Sequence, residues 1–117
     1  MEVTQPLSSP RKRVLVAEAD EIVLALISHI LNRQGYSVEV AVSAEAASKR
    51  LVSERFDAIL LDANFSSAIA SSRKIAPRTI LLGSTDTDLP VHAILGKPIE
   101  FATLMEAVAG CVKGSEQ

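Results

Sequence analysis

Five side chains of this sequence could do chemistry together: Glu18, Asp20, Asp62, Ser84 and Lys97. Each follows a short apolar run. Glu18 and Asp20 come after Val14–Ala17, and Asp62 closes the run that begins at Phe56. Ser84 follows Thr79–Leu82 and Gly83, and Lys97 follows Val91–Leu95 and Gly96. Two carboxylates and a backbone carbonyl could hold a divalent cation, a hydroxyl could donate to a phosphoryl oxygen, and an ammonium could pair with its charge. Taken singly, each has an ordinary reading: a strand-end acid bonded to a helix start, turn chemistry beside a glycine, or a solvated lysine before a proline.

These groups can meet only if the apolar runs are parallel strands whose ends share one rim. The spacing supports that. Unbroken apolar runs of this length, bounded by acids and glycines, read as strands buried on both faces. Five are expected: Val14–Ala17, Val38–Val42, Phe56–Leu61, Thr79–Leu82 and Val91–Leu95. The second alternates Val38, Val40 and Val42 with Ser37, Glu39 and Ala41, which marks a half-exposed strand near the sheet edge.

Helical periods lie between them. Asp20 can cap a first helix in which Ile22, Leu26 and Ile30, with Val23, Ile27 and Leu31, make a broad apolar stripe that Gly35 terminates. Ser43 caps a second, from Ala44 to about Glu54. Asn64–Lys74 is serine-rich and predicts a short or frayed third helix. Thr85–Pro90 has no apolar period and reads as a loop, and Glu100–Val112 predicts a last helix with Phe101, Leu104, Met105, Val108 and Val112 inward. Alternating strands and helices imply right-handed crossovers and a mainly parallel sheet covered on both faces. Ligands of such sheets gather beyond the carboxyl ends of the strands.

In order and context, Arg13–Ile22, Asp57–Asp62, Leu82–Thr85 and Gly96–Pro98 resemble the landmarks of response-regulator receiver domains over roughly residues 12 to 112. The resemblance implies a doubly wound α/β fold of the flavodoxin-like receiver type, with a parallel sheet in the order 2-1-3-4-5. It implies an aspartate phosphorylated by a histidine kinase or phosphotransfer protein in a magnesium-dependent step. Carried over residue by residue, Asp62 is the phosphoacceptor, Ser84 the switch hydroxyl and Lys97 the phosphate-pairing lysine. Glu18, Asp62 and the backbone carbonyl of Asn64 are the metal ligands, with Asp20 as an alternative.

Three departures qualify this. The second of the family's paired acids is Ala19, so magnesium should bind weakly or not at all. The aromatic switch position is Ile94. Too few residues lie between Ser84 and Ile94 for a full crossover helix, so the fourth helix should be missing.

Composition bounds the rest. The chain has 117 residues, 48% of them hydrophobic, enough for one domain with a core. We expect a tail over 1–11, a receiver-like domain over 12–113 and a short tail over 114–117. Twelve Lys and Arg against fourteen Asp and Glu give a net charge of −2, which does not favour nucleic acid. One cysteine, Cys111, excludes an internal disulfide and reads as a small core residue. Neither a signal peptide nor a membrane-spanning stretch is evident, and a cytoplasmic location is expected.

The expected function is that of a stand-alone receiver signalling to an unknown downstream protein. The alternative is a pseudo-receiver that binds partners without phosphorylation, for which Ala19 and Ile94 speak. An aspartyl-nucleophile phosphatase would want an acid two residues past the nucleophile, where Asn64 stands, so enzyme activity is not expected.

Overall fold

The structure, a computed structural model, describes residues 11–69, 74–83 and 87–115. Strand β1 (Arg13–Ala17) is followed by α1 (Glu21–Arg33), β2 (Ser37–Ala41), α2 (Ala44–Ser53) and β3 (Ala58–Asp62). A 3-10 segment (Ala63–Ile69) and a 3-10 turn (Ala76–Arg78) lead to β4 (Thr79–Leu82), then β5 (Ala93–Leu95) and α3 (Phe101–Ser115). The strands form one parallel sheet in the order β2-β1-β3-β4-β5. This is the flavodoxin-like order expected from the sequence.

Period-two alternation divides the central strands between two cores. Val14, Val16, Ala58, Leu60, Ile80 and Leu82 face α1 and α3, meeting Leu24, Ile27, Leu31, Leu104 and Val108. Leu15, Ala17, Ile59, Leu61 and Leu81 face the other way, onto Ala41, Ala47, Phe56 and Ile69. All five residues of β3 are buried, so the strand that delivers Asp62 is clamped from both sides. Each large aliphatic side chain so buried contributes about 1.5–3 kcal/mol.

Local chemistry sets the helix ends. The Asp20 carboxylate accepts from the amides of Ile22 (2.9 Å) and Val23 (3.3 Å), and Ser43 Oγ accepts from Ala46 (3.1 Å). Beyond α1, Gly35 takes φ +95°, and Tyr36 donates its amide back to the Leu31 carbonyl.

Several expectations are corrected. The α1 stripe is narrower than the pattern implied: Leu24, Ile27 and Leu31 are buried, while Ile22 and Leu26 are 74% and 49% exposed. α1 shares its sheet face with α3, so only one line of α1 reaches the sheet. The third helix is a 3-10 segment that packs Phe65, Ala68 and Ile69 inward; residues 70–73 of the expected helix lie outside the described residues. Arg13 lies in β1 with its guanidinium over the Phe56 ring and paired with Glu54 at 2.6 Å. α3 runs on to Ser115, and Phe101, expected inward, is half-exposed at its start.

The link from β4 to β5 contains no helix among the described residues. Leu89 and Val91 pack against the second core there and cover part of the sheet face that a crossover helix would occupy. Of the expected tail over 1–11, residues 1–10 lie outside the described residues. Among the described residues no helix is long and apolar enough to cross a membrane.

Candidate functional site

At the carboxyl edge of the sheet β1 is followed by Glu18, 1% exposed, and β3 ends at Asp62, 3% exposed. Acids are seldom this buried without partners. Their partners come from the chain around them and from the loop after β5. Asp62 Oδ1 accepts from the Asn64 amide at 2.9 Å, and Oδ2 accepts weakly from the Ala19 amide at 3.4 Å. Glu18 Oε2 accepts from the Asp20 amide (3.0 Å) and from Lys97 Nζ (3.0 Å). Glu18 Oε1 lies 2.9 Å from the same nitrogen but outside hydrogen-bond geometry, and so is buried without a hydrogen bond. Lys97 Nζ is 3.7 Å from Asp62 Oδ2. The ammonium therefore leans toward Glu18 and only flanks Asp62.

The electrostatics follow from this packing. Burial disfavours the Asp62 carboxylate, yet the Asn64 amide, the Glu18 side chain, the Ala19 amide and the Lys97 ammonium together outweigh it and hold its pKa below the usual carboxylate value. Burial likewise disfavours charged Lys97, and Glu18 first, then Asp62 and Asp20, more than reverse this, so its pKa is raised.

Five sequence-derived candidates fare differently. Glu18, Asp62 and Lys97 come together. Asp20 turns Oδ1 to the first amides of α1 as their cap, and its charge still reaches Lys97 and helps to raise that ammonium's pKa. Ser84 lies outside the described residues; Gly83 before it adopts φ +116° and donates its amide to the Leu95 carbonyl at 2.7 Å. The Lys97–Pro98 peptide bond is cis. Ile94 is 44% exposed on the edge strand β5.

The residues present supply only part of the donor set a magnesium ion would need. The unbonded Glu18 oxygen and the abutting Asp62 carboxylate suit a hard cation, but where a third acid would stand Ala19 presents only an amide N–H toward Asp62. No cluster of three or more His, Cys, Asp or Glu suited to a metal occurs among the described residues.

The pattern reading missed a groove of about 210 Å³ beside the pocket, lined by Val23, Leu26, Lys97, Pro98, Ile99 and Phe101. Its signal was present in the sequence as surplus: α1 carries more apolar positions than one buried stripe can use.

Comparison with known proteins bears on the fold. The chain resembles a CheY-like response regulator receiver domain protein from Methanospirillum hungatei (TM-score 0.82, 22% identity), which covers 92% of this chain and 98% of that one. The chain has the receiver fold. A chemotaxis response regulator of Vibrio cholerae superposes with TM-score 0.74 at 21% identity, over 87% of this receiver-fold chain and 99% of the other. The receiver domain of a Pseudomonas aeruginosa sensor histidine kinase, which has magnesium coordinated in its active-site cleft, gives TM-score 0.75 at 18% identity over 89% and 99%. No family model matches the sequence. No curated protein matches it either.

Proposed function

We propose that this chain is a receiver module of two-component signalling that accepts a phosphoryl group on Asp62 and signals through protein contacts. The supporting observation is the buried Glu18–Asp62–Lys97 cluster at the carboxyl edge of a receiver-fold sheet. In the transfer an Asp62 oxygen forms the new bond to phosphorus while the bond to the partner histidine nitrogen breaks, its electron pair returning to the imidazole.

Asp62 is suited to attack because its pKa is held below the ordinary carboxylate value and the group is ionised at neutral pH. The Asn64 amide fixes the Oδ1 oxygen, leaving Oδ2 toward Lys97. Lys97 must then leave Glu18 and move toward Asp62 to pair with the incoming charge. A magnesium ion, held by Glu18, Asp62 and the Asn64 carbonyl, would supply neutralisation of the phosphoryl oxygens. The kinase or phosphotransfer partner is proposed to use the apolar groove beside Lys97, where Leu26 and Phe101 are exposed. In this reading the chain is an acceptor and not an enzyme.

Beryllofluoride with magnesium should shift amide signals around Asp62 and Lys97. Unchanged spectra at millimolar magnesium would refute phosphoacceptance. A second reading, a pseudo-receiver, is favoured by Ala19 and by the capture of Lys97 on Glu18. It requires that Asp62→Asn leave partner binding intact.

A further inference from the structure

At the opposite, amino edge of the sheet a cavity of about 300 Å³ opens among Arg55, Pro77, Arg78, His92 and the α3 residues Gly110, Cys111 and Gly114. Its volume is at the low end of small-ligand sites. Arg55, Arg78 and His92 lie just before β3, β4 and β5, so three successive loops each bring a basic side chain to one concavity. Among the described residues its lining has no carboxylate, although Asp57 pairs with the Arg55 guanidinium at 3.2 Å.

We propose that this cavity is a binding site for a small oxyanion, inorganic phosphate or the phosphate of a monoester, held between the Arg55 and Arg78 guanidinium groups. It is independent of the receiver reading.

The loops that carry these groups are fixed before any ligand arrives. The Arg55 carbonyl accepts from Arg13 Nη1 at 3.0 Å. The Arg78 amide donates to the Ile75 carbonyl at 3.0 Å, and Thr79 Oγ1 donates to the same carbonyl at 2.8 Å. The His92 amide donates to the Thr79 carbonyl at 2.8 Å. Such preorganisation lowers the ordering cost of binding. Arg55 is steadied by Asp57 at 3.2 Å, whereas Arg78 has no carboxylate at ion-pair distance among the described residues. A guanidinium presents a planar fork of donors that matches a phosphate edge.

Gly110 is what lets the imidazole in. A Cβ there would sit 3.0 Å from His92 Nε2 and 3.3 Å from Cε1, so any larger residue would make the ring give way by a few tenths of an ångström. The competing explanation is that these cations merely complement the carbonyl end of α3. It predicts a stability role with no dependence on phosphate.

Inorganic phosphate titrated into the ¹⁵N-labelled full chain at fixed ionic strength should give saturable shifts at the Arg78, His92 and Gly110 amides. Arg78→Ala should weaken the binding about tenfold. Arg55→Lys, at an exposed position, should weaken it severalfold while keeping the charge, and Gly110→Ala should also weaken it. Shifts reproduced by matched chloride, shifts centred on Lys97 instead, or affinity unchanged in both arginine variants would each overturn the proposal. The response of Asp62 to beryllofluoride should be the same in Arg78→Ala as in the parent, so this site and the receiver reading fail separately.

Discussion

Replacing Lys97 with methionine would leave two buried carboxylates facing each other without their shared cation. Glu18 is 1% exposed on its side chain and Asp62 4%, so water can do little to solvate the charge left behind. Removing one partner from a fully buried pair costs about 3–5 kcal/mol. The Lys97 side chain is 36% exposed, which screens the interaction and reduces the expected loss to about 2 kcal/mol. In urea, at a slope of about 1–2 kcal/mol per molar, the midpoint should fall by roughly 1–2 M at neutral pH. The double variant Lys97→Met with Glu18→Gln should recover most of this, because the orphaned charge is then gone. Millimolar magnesium should stabilise the single variant more than the parent, since the ion no longer competes with an ammonium for Glu18. A loss below about 0.5 kcal/mol, the value typical of an exposed pair, would refute the account. So would a double variant no better than the single.

Asp20→Ala should remove the α1 cap and cost about 1 kcal/mol by thermal melting, with Asp20→Asn nearly neutral. Asp62 has a folded-state pKa below its ordinary 3.8, so it contributes stability at neutral pH that is lost as pH falls through that folded value; Asp62→Asn should flatten the acid limb of the stability curve below about pH 4. Cys111 is 2% exposed and burial pushes its thiol up to about 11, so a thiol reagent at pH 8 should react only after denaturant is added. Leu60→Ala, at the centre of β3 with no exposed surface, should cost about 2–5 kcal/mol.

The sheet was legible because its strands are short apolar runs that end in acids or glycines, and a parallel sheet leaves such runs few alternatives. The site was legible for the same reason: Glu18, Asp62 and Lys97 each sit at or just past a strand end, so knowing the strands placed the charges. The partner of Lys97 was not legible. Whether its ammonium rests on Glu18 or Asp62 depends on tenths of an ångström and on the loop after β5, which leaves no trace in residue spacing. Asp20 shows a related limit, because an acid two residues past a strand reads equally as ligand or cap until the helix start is placed. On α1 the pattern showed which residues are apolar but not how many of them α3 would leave room for. Ile22 and Leu26 are the difference.

Among the described residues β5 is bonded to the sheet only through β4, over three residue pairs. With no covering helix among the described residues before it, it is the strand least able to resist opening, and Ala93–Leu95 should exchange amide hydrogens faster than β1 or β3. Lys97 stands two residues beyond its end. The charge that balances the two carboxylates is thus carried on the most loosely tethered strand, and a partner that grips or frees that edge would set how long the ammonium stays on Glu18.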